Sequence, residues 1–288
     1  MLLTTPRAEN PALADGAQAV LHVPSGPVPD AAAAVRSGVE ERPLVALGGG
    51  RVIDAAKAIG GADGLSVAAV PTTLSGAELT PFHRMPAGVD TFRLVRPALV
   101  VADPALMASQ HMPDLAASAM NALAHAVEAL YTPLANPVAE MAALRAAALI
   151  AEGLRTEDPE REALALGALL AGYAVGLTGL AVHHAVCQTI VRVCGTPHAQ
   201  TNAVMLPHFV RFMELRAPRE IGLLREALGG DVEPLSARAG VASLGELGVT
   251  EDDLSRIMES VAQRGDIAAN TPGAPSADEV EEVVTGAI

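Results

Sequence analysis

Along the first hundred residues, short apolar runs alternate with amphipathic stretches. Leu2-Leu3, Ala19 to Val23, Leu44 to Leu47, Ser66 to Val70 and Ala98 to Val101 are predicted strands. Asp30 to Glu41 and Val52 to Ile59 are predicted helices, the first capped by Asp30. Strand, glycine turn, helix, strand is the βαβ pattern of a parallel, doubly wound sheet. After Asp103-Pro104 the pattern changes. Long Ala- and Leu-rich segments of helical period follow, broken by Pro113, Pro133, Pro137, Pro159, Pro197, Pro207 and Pro218, and strand signals nearly vanish. The expected organisation is α/β followed by all-α: a nucleotide-binding domain over residues 1–104 and a helical domain over 105–288.

Composition narrows the partners. With 33 acidic against 19 basic residues the chain carries a net charge of -14. That disfavours nucleic acid or an anionic membrane as the main partner. No apolar run is long enough to span a bilayer, and the N-terminal residues are too few and too polar for a signal peptide. Cys187 and Cys194 have neither zinc-ribbon nor CxxC spacing, which fits buried, reduced thiols in a cytoplasm. Tryptophan is absent and aromatics make up 2% of the chain, so the core must be closely packed Ala, Leu and Val. Lys57 is the only lysine; two helical turns past a glycine triplet and spaced to pair with Asp54, it is expected to be structural or cofactor-linked.

That triplet, Gly48-Gly49-Gly50, joins a predicted strand to a predicted helix that opens with Arg51 and Val52. Glycines let a backbone approach an anion, and the helix start offers unpaired N–H groups. A tight strand-to-helix turn would need the same residues. Arg51 could add a charge-assisted bond to a pyrophosphate. The loop Pro71-Thr72-Thr73-Leu-Ser-Gly-Ala-Glu-Leu-Thr80 follows the next strand, where nucleotides bind in such folds.

Asn121 and His125 stand one helical turn apart on one face. His184 and His198 follow, fourteen residues apart, in the stretch from His183 to His208. This layout would let three imidazoles and one amide converge from two helical segments. Three neutral imidazoles with an exchangeable position suit zinc or iron, but the fourth member is an amide where a metal site favours a carboxylate. Histidines on apolar helix faces are also common as satisfied core residues.

Taken together, Gly48-Gly-Gly-Arg-Val-Ile-Asp54-Ala-Ala-Lys57, Pro71 to Thr80, Asp103-Pro-Ala-Leu106, Ser118 to Tyr131, and His183-His184 through Pro197-His198 resemble the iron-containing alcohol dehydrogenase superfamily. Within it they are most similar to the maleylacetate reductases. The resemblance implies an N-terminal Rossmann-like domain, here shortened at its start, and a C-terminal helical domain of the dehydroquinate synthase-like type. It also implies NAD(H) or NADP(H) as cofactor, with Gly48, Gly49, Gly50, Arg51, Asp54, Thr72 and Thr73 near it. The metal-using members supply Asp-x-x-x-His and two later histidines; here those positions are Asn121, His125, His184 and His198. The Asp-to-Asn change is shared with the maleylacetate reductases, which are regarded as metal-free.

Three positions depart from the family pattern. Gln188 stands where a proton-transferring histidine is usual, Arg51 replaces a serine, and Val191-Arg192 replaces a glycine pair. The expectation is a cytoplasmic NAD(P)-dependent oxidoreductase with His125, His184, His198 and Asn121 as catalytic residues. Its substrate would be a small carboxylated carbonyl or enoyl compound. Arg192 could anchor the carboxylate or be a solvated surface residue, and a homodimer is possible. The rival readings are an iron- or zinc-dependent alcohol dehydrogenase using His125, His184 and His198 as ligands, and a nucleotide-binding protein without redox activity.

Overall fold

The computed structural model describes residues 1–288 and divides into two compact units, Met1–Ser109 and Gln110–Ile288. In the first unit five parallel strands lie in the order β2-β1-β3-β4-β5: β1 (Leu2–Thr4), β2 (Val20–His22), β3 (Leu44–Gly48), β4 (Val67–Pro71) and β5 (Leu99–Val100). Its helices are α1 (Pro11–Asp15), α2 (Val28–Arg36), α3 (Gly50–Asp63) and α4 (Pro104–Met107). Leu106 of α4 packs on the cluster of Leu2, Leu47 and Val70, so α4 goes with the sheet.

The strand order reverses between β1 and β3, and the crevice outside such a reversal is where open α/β sheets bind ligands. The Gly48 to Gly50 turn leaves β3 at that place. Gly48 pairs with Pro71 in the sheet, and the Thr72 amide donates to the Gly48 carbonyl (3.0 Å). The two loops therefore leave the sheet side by side.

Three details differ from the sequence reading. Asp30 is not the cap of α2; Pro27 holds that position, and Asp30 lies in the first turn, where its charge still favours the helix N-terminus. The helix stops at Arg36, and left-handed backbone at Glu40 and Glu41 keeps it from reaching the expected end at Glu41. Helix α1 went unpredicted: five residues carry no periodic signal, and it is held by the Asn10 side chain capping Ala12 and Leu13.

The second unit is helical throughout: α5 (Met112–Tyr131), α6 (Pro137–Gly153), α7 (Arg161–Thr178), α8 (Val182–Cys194), α9 (His198–Met213), α10 (Pro218–Leu228), α11 (Glu233–Ser236), α12 (Leu254–Ala262), α13 (Gly265–Asn270) and α14 (Ala277–Thr285). Pro113, Pro137 and Pro218 sit in first turns, where the missing N–H costs nothing. Pro207, expected to break a helix, lies inside α9. Helix α5 is the centre of this unit, buried from Leu115 to Tyr131. Its alanines let α6, α7 and α9 approach closely. No single helix is long and apolar enough to cross a membrane.

Candidate functional site

The middle of α5 carries three polar side chains into this apolar interior. Asn121, His125 and Glu128 follow at i, i+4 and i+7, one face of the helix, and all are buried. Opposite them α8 begins with Val182-His183-His184. The turn Gly195 to Pro197 then separates α8 from α9, whose first residue is His198. The histidines thus arrive from three helices, where the sequence reading had two.

The rings of His125 and His184 stack with centroids 4.4 Å apart and planes 13° from parallel. His183 meets His184 edge-on at 4.9 Å and rests its other side on Phe209. His184 Nδ1 lies 2.7 Å from Glu128 Oε2, and its backbone N–H donates to Glu128 Oε1 (3.0 Å). His183 Nε2 faces the Asn202 carbonyl oxygen at 3.3 Å. His198 is exposed at the edge of the group, with its Nε2 lying 3.2 Å from Asn202 Nδ2. Four buried atoms here have no protein partner: Asn121 Oδ1, His125 Nδ1, His184 Nε2 and Asn202 Oδ1. Buried polar atoms are normally satisfied, so such orphans in one cluster make it the candidate place for a ligand.

The cluster is built to be neutral. Burial, then the neighbouring His184, pushes His183 down to about 3. Burial, then His198, does the same to His184, also to about 3. His125 is held well below its ordinary value by burial and by His184, His198 and His183.

These shifts predict acid sensitivity. Below 6.5 the unfolded chain takes up protons that the folded cluster refuses, so stability falls as pH drops from 6.5 toward 3. By about pH 5 each of His183 and His184 accounts for a loss of about 2 kcal/mol. Glu128, raised by burial, works in the opposite sense and offsets part of it. Thermal unfolding across this range is expected to show a falling Tm with acid. The slope should be shallower by about one proton in His184→Gln. An identical slope in that variant would contradict the assignment.

Glu128, His183 and Asn202 were not singled out in the sequence. The signal for Glu128 was present in its i+7 spacing from Asn121. Asn202 is four residues from His198, the spacing that lets its amide meet both the ring and the carbonyl oxygen of His198. Glu128, His183 and His184 lie close enough to share a metal ion, yet Glu128 and His184 are already hydrogen-bonded to each other. Gln188 accepts from the half-buried Arg264 (3.4 Å), which also donates to Asp266. Arg192 is exposed in the last turn of α8, and Cys194, expected to be buried, is only half-buried there, whereas Cys187 is buried.

In the first unit, Lys57 is completely buried. Its ammonium donates to the carbonyls of Ala77 (2.9 Å) and Thr80 (3.1 Å) and lies 2.7 Å from Asp54. It ties α3 to the loop after β4. Asp54 is therefore occupied by Lys57. A Cβ on Gly49 would meet Thr73 Cγ2 at 2.9 Å, and one on Gly50 would meet Ser75 at 3.1 Å. The glycines are required first of all by the contact between the two loops. Arg51 is exposed, Thr72 is half-buried, and Thr73 Oγ1 is buried without a partner. No side chain caps α3.

Comparison with known proteins gives this geometry its context. Residues 115–288 match the model of the Fe-containing alcohol dehydrogenase family, C-terminal. The chain is 37% identical to maleylacetate reductase 1 of Rhodococcus opacus over 254 residues, 83% of this chain and 71% of that protein. It is similar in structure to maleylacetate reductase from Agrobacterium tumefaciens, with a TM-score of 0.86 and 28% identity, covering 100% of this chain and 88% of that one. The maleylacetate reductase of Rhizobium sp. strain MTP-10005 gives 0.85 and 28% with the same coverage, 100% and 88%. With a matched family model over more than half its length and relatives of this identity, the chain belongs to the Fe-containing alcohol dehydrogenase family.

Proposed function

We propose that this NAD(P)-dependent oxidoreductase reduces maleylacetate, or a closely related small carboxylated enoyl or carbonyl compound, without needing a metal. The observation that carries this reading is the buried, neutral group of His125, His183 and His184, with an amide, Asn121, one turn before His125 on α5.

The donor set does not fit a tightly held iron. Asn121 and the three imidazoles are all neutral, so a divalent ion gains no compensating charge from them. His198 Nε2 already meets the Asn202 amide, and the carboxylate of this cluster, Glu128, is turned to His184. No step of the reaction is therefore routed through a metal. Asn121→Asp is expected to raise zinc or iron affinity by about 1–3 kcal/mol, the scale of a charge-assisted contact. Metal titration of both proteins checks this, and equal affinity would contradict it.

The first unit fits a nicotinamide dinucleotide. Gly48, Gly49, Gly50 and Arg51 stand at the strand-order reversal, α3 has an uncapped N-terminus, and Thr73 Oγ1 lacks a partner beside them. Thr72 opens the adjoining loop. When bound, the cofactor supplies the hydride. The chain's own task is to hold the substrate and deliver a proton. His125 Nδ1 and His184 Nε2 are free to meet substrate polar atoms, with the unpartnered Asn121 Oδ1 one turn before His125 on α5 and His198 at the exposed edge. An anionic substrate favours the charged form of neighbouring imidazoles. A proton taken up with substrate at a ring nitrogen is then available to the substrate atom that does not receive the hydride. Titration with NADH and NADPH, followed by a screen for their oxidation with maleylacetate and related acids, tests the proposal. Tight binding without turnover of any of them would overturn it.

A further inference from the structure

Glu128 has no task in the reaction as described, yet it is wholly buried on the helix that carries His125. Helix α8 has no cap of its own, since Ala181 occupies the N-cap position. Glu128 fills that role from α5, accepting from the backbone of His184 and receiving further hydrogen bonds from Ala181 and His183. The His184 N–H bond of this cap uses Oε1.

The other oxygen meets the His184 ring, and the surrounding network fixes where that ring carries its proton. The Asn202 carbonyl can only accept, so His183 Nε2, facing it at 3.3 Å, is the protonated nitrogen of His183. His183 is neutral, so its Nδ1 is an acceptor. That Nδ1 lies 3.5 Å from His184 Nδ1. A carboxylate at a helix N-terminus is likewise an acceptor. His184 Nδ1 thus faces two acceptors, Glu128 Oε2 and His183 Nδ1, and must itself bear the hydrogen. Its Nε2 is left with a bare lone pair, buried and without a partner.

We propose that Glu128 is a positioning residue that locks His184 in its Nδ1–H tautomer and so presents Nε2 as an acceptor. What Nε2 then meets rests on the reductase reading above; the tautomer does not. Glu128→Gln separates this role from capping. The amide oxygen still accepts the α8 backbone N–H groups, but its NH₂ faces Nδ1 and forces the hydrogen onto Nε2.

The test is ¹⁵N NMR of the histidine rings in the full-length protein, with the His184 signals assigned by their loss in His184→Gln. The wild type is expected to show protonated Nδ1 and bare Nε2, reversed in Glu128→Gln. The reversal should come with little change in Tm and with kcat reduced about 10–100-fold, the usual cost of removing such a partner. A wild-type His184 protonated at Nε2, or a wild-type tautomer in the variant, would overturn the proposal. Should the variant fail to fold, the wild-type spectrum still decides. A wild type that turns over none of the candidate substrates but shows the tautomer and its reversal would sink the reductase reading and leave Glu128 in this role.

Discussion

A His184→Gln chain is expected to lose about 10²–10⁴-fold in kcat/KM, the range for removing a group that handles a proton in the transition state. The expectation follows from its position. His184 holds one of the buried nitrogens without a protein partner, stacks on His125, and is gripped from behind by Glu128. Glutamine keeps much of the volume, and Glu128 still caps α8 through the backbone, so the fold should survive. Steady-state kinetics beside a melting curve separates the two effects. Activity equal to the wild type in a folded variant would remove His184 from the chemistry.

The second large effect is on stability. Lys57→Met is expected to cost about 3–5 kcal/mol, the cost of removing one partner of a buried, hydrogen-bonded charge. Methionine matches the length of the side chain but leaves the carbonyls of Ala77 and Thr80 without their donor and Asp54 without its ion pair. Denaturant unfolding monitored in the first unit measures this directly. A loss below about 1 kcal/mol, the worth of an exposed pair, would mean that the ammonium is not the anchor between α3 and the following loop. The same contact speaks against Lys57 as a nucleophile, since its hydrogens are all directed at acceptors.

The residues that could be read from the sequence are those whose meaning is local. The glycine triplet between a strand and a helix, the alternation of strands and helices before residue 104, and the one-turn spacing of Asn121 and His125 are all short-range patterns. The histidines of the later stretch, His184 and His198, stood out by their residue type, and the family resemblance then paired them with Asn121 and His125 as one site. What escaped depends on which distant segments meet. Glu128 sits in an alanine-rich helix, and its i+7 spacing from Asn121 gained meaning only when the start of α8 was placed against it, 56 residues further along. The Lys57 bonds to Ala77 and Thr80 likewise join segments 20 and 23 residues apart. Gly49 was legible as a special position but for a different reason: its missing side chain makes room for Thr73. Pro207 shows the limit of punctuation by proline, because the helix continues through it.

The proposed chemistry joins a neutral histidine cluster to a nicotinamide and needs no metal. The most direct test is turnover of maleylacetate with NADH or NADPH by chelator-treated wild-type protein whose metal content has been determined by plasma mass spectrometry. The predicted result is undiminished turnover at a metal content far below one ion per chain. Turnover that disappears on chelation and returns with stoichiometric zinc or iron would contradict it.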